Sequence, residues 1–140
     1  MTTIWTIGYG DRSVEDIDRD LMVHGISTIV DVRRAPADPL VPRFDRRQLE
    51  IFAAQTDRGY RWMGLTLGEG AEYGLDDAIA ELIALAAVAR TVVICREVEP
   101  DKCHRSTMIA ALLRDRDIRV VHILPGGVAR PDEPHLPLER

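Results

Sequence analysis

The sequence predicts a single three-layer α/β sandwich, Rossmann-like, built on a mainly parallel sheet of about five strands. Three observations lead there. Short β-branched apolar segments alternate with longer helical patterns along most of the chain. Serine, glycine and proline mark starts and stops between them. A length of 140 residues without an internal repeat suits one domain with one buried core.

The segment IWTIG (4–8) reads as the first strand and stops at a glycine. Ser13 followed by Asp16 resembles a helix-opening cap; Val14, Ile17 and Leu21 then share one face, and Gly25 supplies a stop. STIVDV (27–32) is a second strand suited to burial on both faces. Pro36, Pro39 and Pro42 exclude regular structure from the next segment, a loop long enough to be functional. A helix is expected from about Asp45 to Asp57, then a strand at YRWMG (60–64) and a glycine-rich loop, LTLGEGAEYG. Residues 76–89 form an alanine- and leucine-rich helix. TVVIC (91–95), a helix over roughly 104–115 and RVVHIL (119–124) complete the alternation. Residues 125–140, with four prolines, are expected to be a poorly ordered or surface-laid tail, so the domain is 1–124.

Composition narrows the functional classes. The net charge of −5 disfavours a general nucleic-acid binder. Charge is uneven: residues 33–61 carry seven arginines against four acids, a local footprint suited to anions. No apolar run is long enough to span a bilayer, and the first ten residues lack a secretory pattern. Two cysteines are then expected to be reduced, in a cytoplasmic protein. Oligomeric state is left open, a homodimer included, and no cofactor is indicated.

Open α/β sheets bind ligands beyond the carboxyl ends of their strands. Gly8 and Tyr9 follow the first strand, and Asp31 and Arg33 the second. The fourth ends at Cys95 and leads through Glu97 to Cys103, His104 and Arg105. Arg33 and Arg105 offer forked donors for phosphate, sulfate or carboxylate, unless an internal ion-pair network consumes them. Asp31 is either catalytic or the anchor of one arginine. Cys103, expected in the first turn of a helix beside cationic side chains, suits a nucleophile or, in the plainer reading, a semi-buried thiol. Cys95 reads as core or ligand-binding. A redox pair of the two lies outside the usual two-residue spacing, since seven residues separate them. Glu97 and His104 would assist proton transfer, and Tyr9 would donate to a ligand or cap the sheet edge. His24 and His135 read as solvent-facing, and His122 as a satisfied strand histidine.

The segments TIGYGDRSVEDI, GISTIVDVRRAP, FDRRQLE…RGYRWMGLTLGEG and ICREVEPDKCHRSTMIAALL together resemble the bacterial and archaeal family named "domain of unknown function 488". The resemblance spans roughly residues 3 to 124; its most specific part is Cys95, Glu97, Cys103, His104 and Arg105, with Asp31, Val32 and Arg33 beside it. It implies a single α/β domain and no settled reaction. The paired glycine common after the third strand is split here, as Leu67-Gly68-Glu69-Gly70, and the following segment is short. A fainter similarity is to rhodanese-like and cysteine-phosphatase loops, although the nine residues between Cys95 and Arg105 exceed a phosphatase loop and contain no glycine.

The leading expectation is an enzyme for a small anionic or nucleotide-like substrate, such as a Cys-dependent hydrolase or transferase. One alternative is a non-catalytic anion- or nucleic-acid-binding module using Tyr60, Trp62 and Phe44 for stacking. A second is a metal-dependent hydrolase drawing on Cys95, Cys103 and His104 with Glu97 or Asp31. The adjacency of Cys103 and His104 hinders shared ligation, so no metal site is assigned.

Overall fold

The computed structural model describes residues 1–133, save the side chains of residues 104–106. Six strands and five α-helices are ordered β1 (Thr3–Gly8), α1 (Val14–Val23), β2 (Thr28–Asp31), α2 (Arg46–Gln55), β3 (Gly59–Trp62), α3 (Gly64–Leu67), α4 (Leu75–Val88), β4 (Thr91–Cys95), α5 (His104–Arg114), β5 (Arg119–Leu124) and β6 (Val128–Pro131). They form one sheet in the order β3-β2-β4-β1-β5-β6. The first five of these are mutually parallel, and β6 runs antiparallel to β5.

Alternation along the strands sorts the core into two layers, because successive side chains leave opposite faces of a sheet. Ile4, Val30, Val93 and Val120 pack with Ile79 and Leu82 of α4 and Ile109 and Leu113 of α5. Trp5, Ile29, Val92 and Val121 face Ile17 and Leu21 of α1 and Leu49 and Phe52 of α2. The three-layer α/β architecture is therefore as the alternation of elements implies.

Local chemistry sets several boundaries. Ser13 Oγ accepts from Asp16 N at 3.1 Å and caps α1. At its other end, Gly25 N donates to Met22 O and Ile26 N to Leu21 O, both at 3.0 Å, with Gly25 at φ +65°. That is the paired closure in which glycine avoids a Cβ penalty.

Three local expectations are corrected. Part of the segment read as tail is strand β6, whose two prolines-and-arginine surroundings hid any alternation; an edge position tolerates Pro131 because one side of the strand needs no ladder bond. The glycine-rich loop contains α3, one short helical turn. His24 is half-buried, and its Nε2 donates to Gly127 O at 2.8 Å, so it does not simply face solvent. His135 lies outside the described residues. Among the described residues, no helix is long and apolar enough to cross a membrane.

A candidate functional site where the sheet reverses direction

The chain turns at β1 and β4. From β1 it passes through α1, on one face, to β2; from β4 it passes through α5, on the other, to β5. The connections after these adjacent strands diverge, and such a reversal point is where open α/β sheets leave a ligand crevice. A cleft of about 500 Å³ is present there, lined by Gly10, Asp11, Val41, Arg96, Glu97 and Val98.

Its walls are held close. Tyr9 N donates to Cys95 O at 3.0 Å and Gly10 N to Arg96 O at 2.8 Å, extending the β1–β4 pairing past the strands. A Cβ on Gly8 would lie 1.8 Å from Glu97 O, so only glycine lets the β4–α5 connection cross here. Gly8 thus serves the close approach of the two backbones.

Behind the cleft lies a buried polar network. Arg33, 4% exposed, donates through Nε to Asp31 Oδ1 at 2.9 Å and through Nη2 to Asp31 Oδ2 at 2.7 Å. Its Nη1 donates to Tyr9 Oη at 3.0 Å and Phe44 O at 2.7 Å. Four of the five guanidinium N–H groups are thereby committed to protein acceptors. Asp31 is fully buried and also accepts from Tyr60 Oη at 2.6 Å. Burial opposes the charge of Arg33, but the hydrogen bonds and charge of Asp31 outweigh it and raise its pKa. Of the two readings of Asp31, catalytic group or anchor of an arginine, the geometry matches the anchor: Arg33 and Asp31 form a buried bidentate pair.

Tyr9 carries the network to the cleft rim. It stacks on Phe44 with ring centroids 4.4 Å apart, and its hydroxyl donates to Asp38 Oδ2 at 2.9 Å. Burial pushes the phenol up to about 12, with Arg33 partly offsetting and Asp38 reinforcing the rise. Tyr9 is 1% exposed and bridges Arg33 to Asp38. Asp38 also meets Arg96 Nε at 3.3 Å. Burial opposes the Asp38 carboxylate, yet the Tyr9 hydroxyl, the Arg96 charge and the amides of Leu40 and Val41 hold its pKa below the ordinary value.

Arg96 and Glu97 are exposed and line the cleft. The Glu97 carboxylate accepts from Glu99 N at 3.1 Å. Cys95 and Cys103 are each 4% exposed and lie outside the cleft lining, with their Sγ atoms 3.6 Å apart. The connection leaves β4 at Cys95 and returns through a 3₁₀ turn, Pro100–Lys102, to Cys103. Thr107 N donates to Cys103 O at 2.9 Å, which places Cys103 at the cap of α5. The side chains of His104 and Arg105 lie outside the described set. Among the described residues, no group of three or more His, Cys, Asp and Glu side chains is arranged to hold a metal ion.

The sheet-edge candidates thus divide. Asp31, Arg33 and Tyr9 form one buried network, Cys95 and Cys103 a buried pair, and Glu97 stands in the cleft. Sequence reasoning missed Asp38 and, while the order of residues after the fourth strand puts Arg96 at the sheet edge, it gave that arginine no role. Arg96 was legible, since it follows the strand-ending Cys95. Asp38 sits in the proline-rich loop, and nothing local ties it to Tyr9.

No protein-family model matches the chain, and no curated protein matches it. Among solved structures, it is similar to uroporphyrin-III C-methyltransferase from Thermus thermophilus, at 18% identity and a TM-score of 0.52. The match covers 89% of this chain and 47% of that one, so the chain spans about half the length of that enzyme. The likeness is one of fold, and the sheet flanked by helices on both faces is its common element.

Proposed function

We propose that the protein is an enzyme that binds a small anionic, nucleotide-sized substrate in the cleft beyond β1 and β4. Arg96 supplies the anion contact and Glu97 the proton-transfer group. The observation that carries this reading is the seating of Arg96. It lines a cleft of about 500 Å³ while its Nε meets the buried Asp38 at 3.3 Å. That carboxylate is itself fixed through Tyr9 to Arg33. A cation restrained from behind loses less side-chain freedom on meeting an anion than a mobile one. Arg105 and His104, a short way along the same connection, are the second cation and second proton carrier of this proposal. Attack by Cys103 on the cleft substrate is not part of it, because Cys103 lies outside the cleft lining; nor is metal-dependent hydrolysis, since among the described residues no group of three or more His, Cys, Asp and Glu is arranged to hold a metal. Methyl transfer, which the structural neighbour's name describes, is not assigned, since likeness at 18% identity carries no site. The segments that resemble domain of unknown function 488 support placing the chain in that family, and the paucity of cysteine supports a reduced, cytoplasmic setting.

The nucleic-acid alternative has less support. Phe44 is fully buried, and Tyr60 Oη and Trp62 Nε1 are hydrogen-bonded to Asp31 and Arg33. Arg58 pairs with Asp18 and Arg61 with Glu81. These groups do not form an open stacking platform.

Titration calorimetry and amide-shift mapping with inorganic phosphate and nucleoside monophosphates test the proposal. Binding that perturbs residues 10–11 and 96–98, and weakens at least about tenfold in Arg96→Ala, is the expected result, a charged hydrogen bond contributing about 1.5–3 kcal/mol. Binding indifferent to Arg96→Ala would overturn it, as would the absence of any shift at those residues.

A further inference from the structure

Seven residues separate Cys95 from Cys103, yet the chain returns so that their sulfurs lie 3.6 Å apart in the thiol form. A disulfide requires about 2.05 Å between sulfurs, so closure asks for an approach of roughly 1.5 Å. We propose that Cys95 and Cys103 are a reversible dithiol–disulfide pair whose oxidant is a small hydroperoxide. The size of the oxidant follows from access: each cysteine is 4% exposed, which excludes bulky disulfides such as oxidised glutathione unless the connection opens.

The chemistry balances within these groups. Cys103, at the cap of α5, reacts through its thiolate, the nucleophilic form of any thiol. Its sulfur attacks one peroxide oxygen, the O–O bond breaks, and alcohol or water leaves with a proton. Cys103 is then a sulfenic acid. Cys95 sulfur attacks Sγ of Cys103, the S–O bond breaks, and water leaves. Two electrons have passed from the thiols to the peroxide.

Oxidation would tie a covalent ring around residues 96–102, and this ring holds Arg96, Glu97 and Val98 of the cleft wall. Redox state therefore sets the stiffness of one side of the cleft, whatever ligand the cleft takes.

The test uses the wild-type chain exposed to hydrogen peroxide. Trypsin cuts after Arg90, Arg96, Lys102 and Arg105, leaving the cysteines in separate peptides, TVVICR and CHR. The expected result is loss of two hydrogens by intact mass, a fall from two alkylatable thiols to none, and a TVVICR–CHR cross-link that dithiothreitol reverses. In Cys95→Ser, Cys103 should stall as a sulfenic acid trapped by dimedone. Persistence of both thiols after peroxide, over-oxidation of one cysteine with the other unlinked, or cross-links only between chains would each overturn the proposal. The wild-type measurement stands even where the variant fails to fold.

Discussion

Replacing Arg33 by alanine isolates the physical role of the buried network. The substitution removes both contacts to Asp31, the donor to Tyr9 Oη and the donor to Phe44 O. It leaves a fully buried carboxylate with the Tyr60 hydroxyl and the Arg33 backbone amide as its remaining donors. Breaking one side of a buried ion pair typically costs about 3–5 kcal/mol. The retained donors favour the lower end, about 3 kcal/mol. At this chain length roughly 3–5 °C of melting temperature accompanies each kcal/mol, so a fall of roughly 10–15 °C is expected. Thermal and urea denaturation followed by circular dichroism measure it, with the urea slope checked for constancy. The double variant Asp31→Ala, Arg33→Ala should lose clearly less than the sum of the two single changes, because it strands neither charge. A loss below about 1 kcal/mol in Arg33→Ala, or strict additivity, would refute the anchoring argument.

Other consequences are as direct. Gly8→Ala should be among the most damaging small substitutions, since its Cβ would meet Glu97 O at 1.8 Å and Val98 Cα at 2.8 Å. A loss above about 2 kcal/mol, or failure to accumulate as folded protein, is expected in denaturation and expression assays. Asp38 has a depressed folded-state pKa, so its contribution is present above the unfolded value of about 3.9 and is lost as pH falls through the folded one. Stability measured against pH should therefore fall less steeply below about pH 4 in Asp38→Asn than in the wild type. The Tyr9 phenol, raised to about 12, keeps its proton longer when folded, so wild-type stability should decline as pH climbs from about 10 towards 12. Tyr9→Phe should lessen that decline, to which the half-buried Tyr60 hydroxyl, its pKa also raised, contributes as well, and remove one phenolate absorbance step. Asp132→Ala should loosen the last hairpin, because Asp132 Oδ1 holds His122 Nε2 at 2.7 Å and its Oδ2 pairs with Arg114. Faster amide exchange at 128–131 is the readout.

The parts of the fold written in local chemistry were legible. The Ser13 cap, the Gly25 stop and the strand–helix alternation each rest on residues within a few positions of one another. Helix boundaries fell within about two residues, as fraying ends allow. What escaped depends on distant partners. A guanidinium at a strand end looks the same in sequence whether a ligand or the protein fills it. Here the acceptors came from Tyr9 and Phe44, residues brought together by a loop with three prolines. The approach of the two cysteines was hidden for a related reason: seven intervening residues say nothing of an excursion that comes back. β6 was invisible because a largely exposed strand with a proline carries no alternation. His122, read as a satisfied strand histidine, has Thr6 Oγ1 at 2.6 Å from Nδ1 as well as its carboxylate partner.

The last hairpin bears on where the polypeptide can be cut. A fragment trimmed after Leu124, the limit that periodicity suggests, would lose the covering of β5 along its outer border. It would also leave the His122 imidazole and the Arg114 guanidinium without the carboxylate they share. A naked parallel border invites other chains to add to it. Expression clones should accordingly run beyond Asp132, and shorter ones are expected to clump.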